Sequence, residues 1–225
     1  MNRRSDLLAT VVSEPVSSAK DVRVDGQDGR VVRKLRNREL VLDAVLELFA
    51  EDSLEPGAAE VAERSGVSMR SVYRYFEDGD ALIRAAIARN LEKVRPLFVI
   101  AELGDGPLAG RIDRMVAGRL RLYEAIAPMM RATIRRAPSN DIIRGQFEVD
   151  LAAMRRQVEQ MFALELSELA VADRRDAVAA LDVLLGFHTF EQLRRIRGFS
   201  GPDTRRVLTR AVQRQLGAGQ THPPA

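Results

Sequence analysis

From about residue 34 onward, apolar residues recur at helical spacing, and no segment alternates as a half-buried strand does. Val41, Ala44, Val45, Leu48 and Phe49 form one stripe and predict a helix over about 34–51. A second helix is expected over 58–65 and a third over 68–76, with Ser68 as its N-cap. Asp78 opens a fourth, in which Leu82, Ile83, Ala86, Ile87, Asn90, Leu91 and Val94 share a buried face until Pro96 disturbs it. After a loop at Gly104, Gly106 and Pro107, a fifth helix covers 108–125 and Pro128 opens a short sixth. Pro138-Ser139-Asn140 separates a seventh over 141–163, with Phe147, Leu151, Met154, Val158 and Met161 as its seam. The eighth runs over 172–197. The ninth runs over 202–216, with Pro202 in its first turn and Gly217 at its end. The pattern is all-α, with about nine helices.

Residues 61–75 read V-A-E-R-S-G-V-S-M-R-S-V-Y-R-Y. Ala62, Gly66 and Val72 stand where a helix-turn-helix needs a small residue, a turn glycine and an apolar anchor, with Val61 and Val67 at the other inward positions. The second of these helices offers Met69, Arg70, Ser71, Tyr73 and Arg74, with no acid before Glu77. A basic, hydroxylic and aromatic face without carboxylates suits a DNA groove. The plainer reading is two core helices joined by a glycine turn.

Composition narrows the function classes. Charged residues make up 30% of the chain and no apolar run approaches a membrane span, so no membrane partner is expected. There is no cysteine, which excludes disulfides and thiolate zinc sites and fits a reducing cytoplasm. The net charge of +3 is modest, but Arg30, Arg33, Lys34, Arg36 and Arg38 follow one another with no acid between them. Residues 1–30 lack apolar periodicity and read as a disordered basic arm, and 218–225 as a flexible tail. Such an arm fits a polyanion and equally a solvated tail. No G-x-S-x-G, H-E-x-x-H or cysteine nucleophile supports an enzyme. G-D-G-P-L-A-G lacks the spacing of a phosphate cradle. His188 and Glu191 form a lone H-x-x-E, so neither metal nor cofactor is expected.

Residues 36–87 resemble the DNA-binding domain of the tetracycline-repressor (TetR) family of bacterial transcription regulators. The segments that carry the resemblance are L-V-L-D-A-V-L-E-L-F-A-E (40–51), V-A-E-R-S-G-V-S (61–68), S-V-Y-R-Y-F (71–76) and D-A-L-I (80–83). It implies a helix-turn-helix DNA-binding domain over 31–78 and a helical ligand-binding and dimerisation domain over 79–217. Three positions depart from the family pattern. Ser53 stands where a glycine is usual, Pro56-Gly57 where a hydroxyl residue opens helix 2, and Gly79 where a lysine opens helix 4.

The expected DNA contacts are Arg36, Arg38, Ser68, Met69, Arg70, Ser71, Tyr73, Arg74 and Tyr75. Arg70 is the base reader, Met69 reaches a thymine methyl, and Ser71, Tyr73 and Arg74 touch phosphates. Tyr75 is divided between packing and contact. The resemblance also implies a small-molecule cavity, for which Phe98, Met115, Leu122, Tyr123, Met129, Met130, Phe147, Met154 and Phe162 are the candidates. Arg119, Arg121 and Arg131 are candidates to meet an anionic ligand, but the plainer expectation for them is surface exposure. Leu181, Leu184, Leu185, Phe187, His188, Val207 and Val212 are expected at a homodimer interface. The implied function is a cytoplasmic, homodimeric repressor on a palindromic operator, released by a small-molecule effector. The alternative is a constitutive or architectural DNA-binding protein without a switch.

Overall fold

The computed structural model describes residues 26–217, which hold ten α-helices and no strand. These are α1 (Gly26–Ala50), α2 (Ala58–Ser65), α3 (Met69–Tyr75), α4 (Gly79–Val94), α5 (Leu108–Arg136), α6 (Asp141–Met161), α7 (Ala163–Ser167), α8 (Val171–Leu184), α9 (Phe187–Glu191) and α10 (Gly201–Gly217). The expected arm up to residue 25 and the tail 218–225 lie outside the described residues. Contacts divide the chain into a unit ending at Arg36 and a second from Asn37 onward. In the first unit the chain is helical from Gly26, so residues 26–30 are helix rather than disordered arm, and α1 starts well before the expected position. Positions 29–36 are exposed. A helix that buries nothing leaves no apolar period to read, although its arginine, lysine and leucine favour helix intrinsically.

In the second unit the apolar stripe of α1 (Val41, Leu42, Val45, Leu48 and Phe49) is sealed. Two ion-pair clusters fasten α1 to its neighbours. Arg64 on α2 donates to both oxygens of Glu51 at 2.9 and 2.6 Å. Arg89 on α4 meets Asp43 at 2.6 Å and Glu39 at 2.7 Å. The turn after α1 places Asp52, not a glycine, in the left-handed region at φ 65°. Aspartate tolerates that region better than most residues. The Asp52 carboxylate is held by Arg195 at 2.8 Å and lies 3.1 Å from Arg131 Nε.

The C-terminal helices correct the expected boundaries. The fifth and sixth helices are one, because α5 continues through Pro128. Proline leaves the Glu124 carbonyl without its usual amide, but Glu124 is exposed and water reaches it. Met129, Met130 and Ala132 keep the buried face going beyond the proline. The expected helix 172–197 is broken instead. A Cβ on Gly186 would lie 2.9 Å from the Asp182 carbonyl oxygen, and the chain leaves α8 there, forms α9, and passes into a π-helical turn over Gln192–Ile196. Leu151, expected in the α6 seam, points outward, while Met154, Val158 and Met161 are buried. No helix among the described residues is long and apolar enough to cross a membrane.

Polar contacts join the helix-turn-helix segment to the C-terminal helices. Asp80, at the start of α4, accepts from Arg136 at 2.7 Å and from Asn140 at 3.2 Å. Glu55 pairs with Arg135 at 3.2 Å, and Asn90 on α4 donates to Met129 Sδ at 3.2 Å.

Candidate nucleic-acid interface

Gly66 ends α2 at φ 67°, ψ 13°, a left-handed conformation that glycine adopts without the Cβ penalty. The chain therefore reverses within three residues, and Val61, Val67, Val72 and Phe76 close beneath the turn. Burying Val72 and Phe76 on one side of α3 turns Ser68, Met69, Arg70, Tyr73 and Arg74 outward. Met69 is 49% and Tyr73 56% exposed, high for apolar and aromatic side chains, which makes this face unlike an ordinary solvated one.

Each side chain of this face has its own setting. Arg70 and Tyr73 make no side-chain hydrogen bond or ion pair with the described residues. Arg74 lies over the Tyr75 ring, 5.3 Å from its centroid, and donates to Tyr75 Oη at 3.3 Å and Ser71 Oγ at 3.4 Å. Tyr75 is half-buried. Ser68 occupies the N-cap position but its side chain caps no backbone amide. Its hydroxyl donates to Ser71 Oγ at 3.1 Å, which corrects the expected cap. The adjoining helix is the one that is capped: Asp78 Oδ1 accepts from the Ala81 amide at 2.6 Å.

Arg38, an expected DNA contact, has neighbours within the protein. Its guanidinium lies 5.2 Å from the Phe76 ring centroid and 3.9 Å from Glu39. Arg36 is exposed in the first unit. At Gly79 a Cβ would meet nothing within 4 Å, so the position usually held by a lysine is open.

Residues 41–86 match the family model described as bacterial regulatory proteins, tetR family. That match covers the helix-turn-helix segment, which is similar to the DNA-binding domain of tetR-family transcriptional regulators. No curated protein matches its sequence. Its fold is similar to that of a tetR-family transcriptional regulator from Streptomyces coelicolor, 21% identical, with a TM-score of 0.62 over 82% of this chain and 81% of that one. It is also similar to a chain from Rhodococcus sp. assigned to the same family, 18% identical, with a TM-score of 0.60 over 80% of this chain and 99% of that one. At such identities the likeness is one of fold.

The C-terminal half of the chain departs from several expectations. Of the nine candidate pocket residues, Met115, Leu122, Tyr123, Met129, Met130, Met154 and Phe162 are packed into the core, and Phe98 and Phe147 are half-buried. Open clefts lie elsewhere. One of about 720 Å³ runs between α5 and α10 past Arg121 and Arg210, and one of about 630 Å³ adjoins Arg131, Glu191 and Arg195. Arg119, expected at the surface, is 2% exposed. Arg131 is engaged by Asp52 and Glu191. Four candidate interface residues, Leu181, Leu185, Phe187 and Val212, are buried within the protomer's own core. Leu184 and Val207 are half-buried and His188 is exposed. Breadth of apolar pattern on the eighth helix marked burial, but did not separate burial in its own domain from burial against a second copy.

Proposed function

We propose that this protein is a homodimeric repressor, released from a palindromic operator by a small molecule that binds among α4–α6 and α8. The observation that carries the DNA-reading part is the outward face of α3. Arg70, near its start, reaches guanine O6 and N7, and Met69 reaches a thymine methyl. Ser71, Tyr73 and Arg74 position the helix on phosphates, as do Ser68 and Tyr75 at its margins. Arg36 and Arg38 supply further phosphate contacts in the same reading. Two copies of α3 enter successive major grooves about 34–36 Å apart. A ligand shifts this equilibrium only if it prefers the state that does not fit DNA.

A second reading has support in the packing. Residues expected to line a cavity are closed on one another, which favours a DNA binder without a switch. Gel-shift titration of the purified protein on the DNA flanking its own gene separates the two. The switch reading expects a discrete dimeric complex that a compound binding the C-terminal half dissolves. A complex that survives every compound shown to bind there sinks the switch, and a strictly monomeric protein on DNA sinks the operator geometry.

A further inference from the structure

Two arginines on α5, Arg111 and Arg119, are each 2% exposed. A buried charge is retained at acceptable cost only when it is paired and its hydrogen-bonding capacity is met. Arg111 meets that condition. Its Nη1 and Nη2 donate to the two carboxylate oxygens of Glu165 at 2.8 and 2.5 Å, and it also reaches the Met161 and Gly106 carbonyls at 2.7 and 3.1 Å.

Arg119 does not. Its Nη1 donates to Gln157 Oε1 at 2.8 Å and its Nη2 to the Met154 carbonyl at 2.8 Å. Both acceptors are neutral, and no acid among the described residues forms an ion pair with it. Asp182 on α8 acts on it only at a distance. Burial pulls its pKa down from the ordinary value, yet a guanidinium does not give up its proton in a protein. One turn to either side on α5 stand Met115 and Tyr123, both sealed. Tyr123 spends its hydroxyl on the Leu185 carbonyl at 2.8 Å. The surroundings are thus apolar and partly methionine, which adapts to irregular shapes, and they hold a cation with no counter-charge in contact.

We infer that Arg119 anchors the carboxylate of an amphipathic effector, which enters by displacing the Gln157 carboxamide from the guanidinium. This rests on the ligand-responsive reading above and gives its effector a chemical class. A planar carboxylate matches the guanidinium fork with two parallel hydrogen bonds, and its apolar body replaces core contacts beside Met115 and Met154. A cation is repelled, and a neutral molecule leaves Arg119 uncompensated. Gln157 also gives the site a route to the DNA-binding segment. Its Nε2 donates to the Phe98 carbonyl at 2.7 Å, in the 3-10 turn Arg95–Phe98 that continues α4. An effector that displaces Gln157 disturbs that contact and, through α4, the helix-turn-helix.

Three probes of equal chain length test the inference on the full-length protein below their micellar concentrations: dodecanoate, dodecanol and dodecyltrimethylammonium. Calorimetric titration and thermal unfolding report binding, and gel shift on operator DNA reports release. Dodecanoate is expected to bind at least about tenfold more tightly than dodecanol, and the ammonium compound to bind least. Arg119→Met should abolish that preference. Gln157→Leu, which keeps the packing volume but lacks the contact to Phe98 from the start, should bind dodecanoate at least as tightly and bind DNA weakly whether or not dodecanoate is present; it carries the test alone if Arg119→Met does not fold. Equal binding of the three probes, no binding of dodecanoate, or a carboxylate preference that survives Arg119→Met overturns the anchor. DNA release by the neutral or cationic probe alone removes the anchor and leaves the switch standing. Arg119-dependent binding of dodecanoate without any effect on DNA keeps the anchor and removes the switch.

Discussion

Helices α3 and α5 both carry arginines and put them in opposite surroundings. On α3, Arg70 is exposed and has no side-chain partner among the described residues, and Arg74 lies over Tyr75. On α5, Arg111 and Arg119 are sealed, and every hydrogen bond they make is to a specific neighbour. Water solvates a surface charge at little cost and leaves it available to a phosphate or a base. A core must supply that solvation itself, group by group. Substitutions on α3 should therefore alter what the protein binds and spare its stability, whereas substitutions on α5 should do the reverse unless a ligand uses the site.

The largest test of the contrast lies at Arg111. Replacing it with methionine leaves Glu165, whose side chain is 14% exposed, without its partner. Orphaning one member of a buried pair costs about 3–5 kcal/mol, measurable as a fall in the denaturation midpoint. The pair also sets a pH signature. The Arg111 guanidinium holds the Glu165 carboxyl below the ordinary glutamate value. A carboxyl with a lowered folded pKa stabilises the fold at pH values above its unfolded pKa of about 4.3, and that contribution is lost as the pH falls through the folded value. Wild type should lose stability over that acid window, and Arg111→Met should show a shallower slope there. An unchanged midpoint in Arg111→Met would mean that α5 tolerates orphaned charges and would remove the contrast with α3.

On the other side of the comparison, Arg70→Ala should weaken DNA binding by about 1–3 kcal/mol and relax base preference at one position per half-site. Its thermal stability should change by no more than about 0.5 kcal/mol. Competition gel shifts against operators substituted one base pair at a time provide the measurement. Uniform loss across all sequences would make Arg70 a phosphate contact rather than a reader.

The same division explains what the sequence made legible. The helix-turn-helix rests on local rules, in which a turn glycine, two inward valines and an anchor six residues past Gly66 must recur within one short segment. Those rules place Met69, Arg70 and Tyr73 outward without knowledge of the rest of the chain. The C-terminal half obeys tertiary rules. Whether Arg119 lies in water or in the core depends on which helices cover α5, and no periodicity states that. Leu181 and Phe187 have the same apolar character whether they meet their own domain or a second copy. The break at Gly186 had one local sign, a glycine inside a helical pattern. At that break the Asp182 carbonyl lies 2.9 Å from where a Cβ would sit, so a side chain does not fit without a shift. Gly186→Ala should accordingly destabilise the fold by about 1–3 kcal/mol, seen as a lower midpoint with DNA affinity unchanged per folded molecule. A neutral result would show that the backbone there relaxes freely.

The smallest expected effect sharpens the surface side of the comparison. Gly79 opens α4 beside the Asp78 cap, is exposed, and has open space where a side chain would grow. Replacing glycine with lysine inside a helix raises intrinsic propensity by up to about 1 kcal/mol. The new ammonium sits unfavourably at the positive end of the helix dipole, by about 0.3–1 kcal/mol. These terms nearly cancel, so stability should barely move. On DNA the lysine is free to neutralise one phosphate and release its counterion. Binding should tighten, and the slope of log affinity against log salt should steepen by about 0.9 per contact. Because every half-site gains the same contact, the gain should be equal on cognate and mutated operators. A gain confined to the cognate sequence would show that the α4 terminus also senses base identity or groove shape. No gain at low salt would place the α4 terminus beyond reach of the backbone and leave α3 as the surface that meets DNA.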